Sequence, residues 1–167
     1  SDQLVDLAEI NNRYLKVVHP RYVADMQSFI ESGSKALGVT RKAARYVEKQ
    51  NDKGLKRLRQ VGILQSLNQV RLLSPIPWPR KNIILLGINY QEHIAEGARA
   101  RSVELKIPEA PVYFTKPATS VIGHQGKVIH HEATKRLDFE VELAVVMGKK
   151  GRNISVEKVN EYIFGYT

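Results

Sequence analysis

The stretch Leu137-Asp138-Phe139-Glu140-Val141-Glu142-Leu143-Ala144-Val145-Val146-Met147-Gly148 decides how the second half of this chain is interpreted. Its first part alternates acidic and apolar residues, and its second part is an apolar run that ends at a glycine. Because both patterns are typical of β-strands, we predict one strand that lines a site and then becomes buried. Successive strand side chains point to opposite faces, so Asp138, Glu140 and Glu142 are expected to share one face.

A row of three carboxylates is electrostatically costly. Strand residues two positions apart are roughly 6 to 7 Å from each other, and at an effective dielectric constant of about 20 each ionised pair repels by about 2 to 3 kcal/mol. A hard divalent cation such as Mg²⁺, Ca²⁺ or Mn²⁺ would offset this repulsion and suits carboxylate oxygens better than zinc does. The alternative is a solvated strand face that pairs with Lys135 and Arg136.

The composition is that of an ordinary globular protein. The chain has 167 residues, of which 43% are hydrophobic and 26% charged, enough for one domain or for a small domain with part of another. No apolar run approaches the roughly 20 residues of a transmembrane helix, and the polar start lacks the pattern of a signal peptide. Since there is no cysteine, disulfides and thiol nucleophiles are excluded. We expect a cytoplasmic protein with no membrane partner.

The formal charge of +9 is concentrated in the N-terminal half, where Lys and Arg are twice as numerous as Asp and Glu over the first 80 residues. Its densest part is the basic surface, which we define as Arg41, Lys42, Arg45, Lys49, Lys53, Lys56, Arg57 and Arg59. Only one aromatic residue is interleaved, and no nucleic-acid-binding signature is present. We therefore interpret it as a solvated helix face or a subunit contact, and predict a homodimer that binds no nucleic acid.

The hydrophobic spacing divides the chain in two. It predicts helices over residues 2–17, over residues 22–30, and over residues 41–50 with Thr40 as the N-cap. Three prolines between Ser74 and Arg80 forbid both helix and central strand. We predict a mostly helical basic region over residues 1–73, a proline-rich linker over 74–80 and a second domain over 81–167.

The second domain is predicted to be rich in strands. Apolar runs at residues 82–86 and 111–117 indicate two strands, and a helix beginning at Tyr90 or Gln91 would place His93 and Glu96 on one face. Such a pair can act as a general base, although taken alone a pair of this kind on a surface helix is more often only solvent-exposed and polar. Lys116 follows a strand and could neutralise an oxyanion or a substrate carboxylate. A last helix is predicted after Ser155.

Four blocks of this sequence, taken in order, resemble the fumarylacetoacetate hydrolase family. They are Gly87-Ile88-Asn89-Tyr90-Gln91-Glu92-His93-Ile94-Ala95-Glu96, Phe114-Thr115-Lys116-Pro117, Leu137-Asp138-Phe139-Glu140-Val141-Glu142-Leu143 and Phe164-Gly165-Tyr166-Thr167. The resemblance covers about residues 75 to 167. It implies an α+β fold whose catalytic domain is a mixed, barrel-like β-sheet, here represented by its front part.

The resemblance also implies roles for single residues. Glu140 and Glu142 match two of three carboxylate ligands for Mg²⁺ or a similar ion, and Asp138 matches an acid beside the ligands. The remaining matches are His93 and Glu96 as the dyad that activates water, Lys116 near the substrate's oxygens, and Asn89 and Tyr90 as substrate-binding residues.

By this resemblance the protein is a metal-dependent enzyme that acts on a 2-oxo or 1,3-diketo acid through a chelated enolate. An acylpyruvase-like carbon–carbon hydrolase or a dienoate isomerase or decarboxylase is the first expectation. A sugar-acid dehydratase, which would be a lyase, is an alternative within the family. A different class of protein is also open, namely a non-catalytic binding protein that uses the basic surface on an acidic partner.

The end of the sequence departs from the family pattern. In the family, an aspartate that is the third metal ligand and an arginine follow shortly after the block that ends here at Thr167. We therefore expect the natural sequence to continue, and we expect the chain as it stands to be incomplete as an enzyme.

Overall fold

The computed structural model describes residues 3–90 and 109–167. The fold is mixed helix and strand and divides into two compact units, one of residues 1–76 with 124–167 and the other of residues 77–123. Within the described ranges, no helix is long and apolar enough to cross a membrane.

The N-terminal part of the first unit is mostly helical. Its elements in order are strand β1 (Gln3–Val5), helix α1 (Leu7–Ile10), a π-helical turn (Asn11–Leu15), a 3-10 helix (Pro20–Val23), helices α2 (Met26–Ser32), α3 (Ser34–Glu48) and α4 (Asp52–Gln60), strand β2 (Leu64–Ser66) and a 3-10 helix (Leu67–Gln69).

Side-chain caps determine where these helices begin. The carboxylates of Asp6 and Asp25 accept hydrogen bonds from the first turns of α1 and α2, and the Asn51 side chain does the same for α4. Gly33 separates α2 from α3 with φ = 52°, a left-handed conformation that costs glycine least. The chain can therefore turn between two helices with a single residue.

Two small apolar clusters hold the helices together. The first contains Ile10, Ala43, Leu58, Ile63 and Leu64 and thus joins α1, α3 and α4 to β2. The second contains Val23, Phe29, Ala36 and Val39, and the side chain of Phe164 from the C-terminal part packs against it.

Asn11 is the only buried polar residue among those the structure describes, and its side chain organises the turn after α1. Its amide nitrogen donates to the Val18 carbonyl oxygen over 3.0 Å, and its amide oxygen accepts from the backbone N–H groups of Val17 and Val18. Burial is tolerated because these partners satisfy the amide on both sides.

Two short antiparallel ladders belong to the first unit. β1 pairs with β2 so that Leu4 lies opposite Gln65, which brings the start of the chain to the residues after α4. β5 (Val145–Met147) pairs with β6 (Ile163–Tyr166), and a 3-10 helix (Val156–Glu161) lies between them in sequence.

The second unit contains one antiparallel ladder, in which β3 (Ile83–Gly87) pairs with β4 (Val112–Lys116). A 3-10 helix (Ala118–Ser120) follows. Both strands were predicted from their apolar runs, and both are confirmed to within one residue.

Three helix predictions need correction. Residues 3–5 form β1 instead of the start of a helix, because their backbone pairs with β2, a partner that is distant in sequence. Thr40 does not cap a helix: it lies within α3, which begins at Ser34, and its hydroxyl donates to the Leu37 carbonyl oxygen. After Ser155 the chain forms a 3-10 helix and then β6, so the predicted last helix ends earlier than its apolar pattern suggested.

The predicted strand over residues 137–148 is also wrong in its first part. Only Val145–Met147 is a strand, and in the described residues no other strand pairs with residues 137–143. Phe139 and Val141 are 83% and 86% exposed, so the acidic stretch is not part of a buried strand. A barrel-like sheet and the predicted domain boundaries stay predictions.

Candidate functional site

The three carboxylates lie on an exposed segment of the first unit. Asp138 accepts a hydrogen bond from the Phe139 backbone N–H over 2.9 Å, and its Oδ2 is 3.6 Å from Nη2 of Arg136. Within the described parts of the chain, Glu140 and Glu142 have neither a hydrogen bond nor an ion pair through their side chains. Asp138 thus already has a cationic partner, whereas no side chain in the described residues occupies the oxygens of the two glutamates.

A backbone ladder fixes the end of this segment. The backbone of Ala144, two residues after Glu142, exchanges hydrogen bonds of 2.7 and 3.0 Å with Thr167. The ladder continues into Val145 opposite Tyr166 and Val146 opposite Gly165. The structure therefore brings together two blocks that the sequence shows far apart, the acidic stretch and the Gly-Tyr-Thr stretch.

An aromatic contact joins this ladder to the helices. Phe164 of β6 meets Phe29 of α2 edge to face, with ring centroids 6.0 Å apart and an interplanar angle of 87°. The backbone of Phe164 also lies close to Gly148. A side chain at position 148 would not fit without a shift, because its Cβ would come within 3.1 Å of the Phe164 Cβ. This contact could not be predicted from the sequence, because the two residues are distant along the chain and no local pattern specifies which partner each one contacts.

The 3-10 helix before β6 carries a perturbed carboxyl group. Backbone hydrogen bonding at Glu157 and the hydroxyl of Ser155 lower the pKa of the exposed Glu157 carboxyl. Ser155 thus stabilises the ionised form of a nearby glutamate, and it makes no capping hydrogen bond to the helix backbone.

The second unit carries Lys116, Asn89 and Tyr90, all exposed. Lys116 lies opposite Ile83 at one end of the β3–β4 ladder, whereas Asn89 and Tyr90 follow Gly87, which lies opposite Val112 at the other end. Four steps of about 3.3 Å separate the two ends, or about 13 Å along the strands. The ladder therefore does not bring Lys116 together with Asn89 and Tyr90.

Ile88 has an unusual backbone conformation between β3 and these two residues. Its φ of 56° lies in the left-handed region, which is unfavourable for a β-branched side chain. Backbone strain of this kind concentrates at functional sites, where the surrounding structure holds it in place. The strained residue belongs to the block that resembles the family, and it sets the direction in which Asn89 and Tyr90 leave the strand.

His93 and Glu96 lie outside the described residues. In the ranges 3–90 and 109–167, no group of three or more His, Asp or Glu side chains is placed to hold a metal ion. The described candidate residues thus belong to both units, with the exposed glutamates and their ladder in the first unit and the β3–β4 ladder with Lys116 in the second.

The basic surface lies on α3 and α4 and on the turn between them. All eight of its cationic side chains are exposed, and none forms an ion pair with the part of the chain that the structure describes. The helices instead direct Ala43 and Leu58 into the core. This arrangement agrees with a solvated helix face. A subunit contact at this surface and the absence of nucleic-acid binding stay predictions.

Comparison with known proteins gives the family. The family model described as fumarylacetoacetate (FAA) hydrolase C-terminal matches residues 82–167, just over half of the chain. This range contains every residue that was singled out for the site, from Asn89 to Glu142.

Curated relatives extend the match toward the N-terminus. Oxaloacetate tautomerase YisK of Bacillus subtilis (strain 168) is 42% identical over 141 residues, which is 83% of this chain and 43% of that protein. The mitochondrial oxaloacetate tautomerase Fahd2a of Rattus norvegicus is 31% identical over 153 residues, which is 92% of this chain and 42% of that protein. An uncharacterised protein, MJ1656 of Methanocaldococcus jannaschii, is 42% identical over 85 residues, or 51% of this chain and 33% of that protein.

The chain thus spans about two fifths of the length of the two tautomerases that it matches. The family model covers all four blocks and the ladder that joins two of them. The chain belongs to the fumarylacetoacetate hydrolase family.

Proposed function

We propose that this chain forms part of a metal-dependent enzyme that interconverts the keto and enol forms of oxaloacetate or of a closely similar 2-oxo diacid. The observation that carries the proposal is the family match over residues 82–167, together with the relatives named oxaloacetate tautomerase. Keto–enol interconversion requires a base for a carbon-bound proton and stabilisation of the negative charge that develops on oxygen. The candidate residues supply groups of both kinds.

The donor chemistry fits a hard divalent cation. Glu140 and Glu142 are exposed and have no hydrogen-bond or ion-pair partner for their side chains in the described residues, and carboxylate oxygens are the ligands that Mg²⁺ and Mn²⁺ prefer. These two glutamates would hold the ion. When bound, it would polarise the oxygens of the 2-oxo acid and stabilise the charge of the enolate.

The other residues act on the substrate and its protons. His93 would accept the proton from the carbon next to the 2-oxo group, and Glu96 would orient the imidazole by a hydrogen bond. The protonated His93 would then donate the same proton to the enolate oxygen, which gives the enol. Lys116 would donate a hydrogen bond to a substrate oxygen, and Asn89 and Tyr90 would bind the substrate by polar contacts.

The first expectation from sequence, an acylpyruvase-like hydrolase or a dienoate isomerase or decarboxylase, shares the enolate with the proposed reaction. A tautomerase needs only the proton transfers, whereas a hydrolase or decarboxylase must also break a carbon–carbon bond. The names of the curated relatives favour the simpler reaction. The sugar-acid dehydratase has no such support.

The test is an assay of oxaloacetate enolisation by the full-length enzyme of which this chain is proposed to form part, with added Mg²⁺ or Mn²⁺, followed by the ultraviolet absorbance of the enol. Glu140→Gln and Glu142→Gln should each abolish the metal-dependent rate, because each removes a charged oxygen ligand. Calorimetry with the metal alone should show that each variant has also lost metal binding.

Glu132→Gln is the matched control, since Glu132 is an exposed glutamate of the same unit outside the family blocks. Its metal affinity and its enolisation rate should equal those of the unsubstituted enzyme. Unchanged metal binding in both site variants would refute the assignment of the ligands. Metal binding without any enolisation, but with cleavage of an acylpyruvate, would instead restore the hydrolase.

A further inference from the structure

Two cations converge on one phenol in the N-terminal region, at a place that the proposed enzymatic site does not use. The guanidinium carbon of Arg21 lies 5.0 Å from the centroid of the Tyr22 ring, and Nζ of Lys35, from α3, lies 5.7 Å from it. Nη2 of Arg21 also donates a hydrogen bond to the Tyr22 hydroxyl over 3.3 Å. Because the cations come from different elements, the fold itself brings them together.

The local backbone holds Arg21 and Tyr22 in position. The Arg21 backbone N–H donates to Nδ1 of His19, and the His19 ring meets the Tyr22 ring edge to face with centroids 6.2 Å apart. Both residues lie in the 3-10 helix that Pro20 begins, and Val23 of the same turn is buried in the second apolar cluster. The turn that carries Arg21 and Tyr22 is therefore anchored to the core through Val23.

The donors around this phenol remain available to a ligand. The Tyr22 oxygen accepts from Arg21 and keeps its own O–H to donate, and the Lys35 ammonium has no ion-pair partner in the described residues. The hydrogen bond and positive charge of Arg21, together with the charge of Lys35, lower the pKa of the Tyr22 hydroxyl, which makes it a stronger donor.

These residues line a cavity of about 440 Å³, together with Ser28, Glu31 and Ser32. The Ser28 hydroxyl donates to the Asp25 carboxylate and the Ser32 hydroxyl to the Ser28 carbonyl oxygen. Glu31 is the one acid in the lining and has a partner of its own. The cavity is larger than a single phosphate group, so it has room for the rest of a small molecule.

We propose that Arg21, Tyr22 and Lys35, which we call the Tyr22 cradle, bind the phosphate group of a small molecule. A guanidinium, an ammonium and a phenol line the same cavity, and a tetrahedral dianion can offer each of them an oxygen. A carboxylate carries one charge and two oxygens, so it suits two cations and a hydroxyl less well. The cradle is separate in sequence from every residue of the proposed enzymatic site.

The experiment is calorimetric titration of the chain with inorganic phosphate in about 0.15 M salt, a concentration that screens general attraction to a basic protein. Arg21→Ala and Lys35→Ala should each weaken phosphate binding about fivefold to tenfold, because each removes one cation from the cradle. Tyr22→Phe should weaken it less, since the ring remains and only the hydroxyl is lost.

Lys42→Ala is the matched control, because Lys42 is an exposed lysine of the same helix as Lys35 and the change in net charge is identical. Its phosphate affinity should equal that of the parent chain. Equal weakening by Lys42→Ala would show that phosphate is attracted only by the general positive charge, and no binding at millimolar phosphate would refute the Tyr22 cradle. Tighter binding of malonate than of phosphate would overturn the choice of phosphate.

Arg21 and Lys35 are both exposed, so their removal leaves the apolar clusters intact. Circular dichroism of each variant should match that of the parent chain. A second measurement does not depend on affinity. Saturating phosphate should change the pH titration of tyrosine absorbance in the parent chain but not in Tyr22→Phe. An identical change in both would also refute the cradle.

Discussion

At the scale of single residues, Asn11 offers the sharpest test of the fold. Asn11→Ala would remove the side-chain partner of the Val17 and Val18 backbone N–H groups and of the Val18 carbonyl oxygen, in a turn that is partly buried. Because these hydrogen bonds are lost together and the buried Asn11 side chain is truncated, we expect the free energy of unfolding to fall by about 1 to 3 kcal/mol, as measured by urea denaturation.

The neighbouring residue provides the control. Asn12 is exposed and has the same side chain, so Asn12→Ala should change stability by less than about 0.5 kcal/mol. If the two alanine variants were equally stable, the hydrogen bonds of Asn11 would not contribute to the fold as the structure indicates.

The assignment of His93 is also tested at this scale. Replacing this residue by alanine should lower the turnover of a 2-oxo acid by about 10² to 10⁴, because the general base is lost while the metal ligands remain. Metal affinity, measured by calorimetry, should stay nearly constant. A parallel loss of metal binding would show that His93 is a metal ligand. Unchanged activity would show that neither His93 nor Glu96 takes part in catalysis.

At the scale of elements, the contact between α2 and β6 joins the helices to the ladder that ends the acidic segment. Phe164→Ala removes the ring that packs on Phe29 and the second apolar cluster. Since Phe164 is half-buried, we expect a loss of about 1 to 3 kcal/mol in unfolding free energy, less than for a fully buried phenylalanine.

Phe139→Ala is the same change at a side chain that is 83% exposed in the same unit. It should leave the thermal midpoint almost unchanged, because little apolar surface is buried there. A larger loss for Phe139→Ala than for Phe164→Ala would show that the acidic segment, and not the aromatic contact, holds this part of the unit.

At the scale of the whole molecule, the basic surface accounts for much of the net charge of +9. We predict that it is solvated or contacts another subunit and does not bind nucleic acid specifically. Any attraction to duplex or single-stranded DNA at low salt should disappear near physiological salt, as titration by fluorescence anisotropy would show. Micromolar binding that persists at about 0.15 M salt would contradict this.

Much of the fold follows from local sequence signals. The apolar runs that gave β3 and β4, and the glycine at position 33 that ends α2, depend on residues within a few positions of one another. The four blocks that identify the family are local in the same sense, so the sequence alone sufficed for the family, whereas the roles of the candidate residues stay predictions. Helix starts were predicted less accurately. The start expected after Thr40 was wrong, because α3 begins directly after Gly33.

Only the tertiary structure decided which strands pair and which segments are exposed. Nothing near Gln3 or Ile163 predicts that these residues become strands, because each needs hydrogen bonds from a partner elsewhere in the chain. The acidic stretch illustrates the reverse case, since its alternation is that of a strand but no partner pairs with residues 137–143 in the described structure. A strand is stable only where a neighbouring strand accepts and donates its backbone hydrogen bonds, and residue types alone do not specify that neighbour.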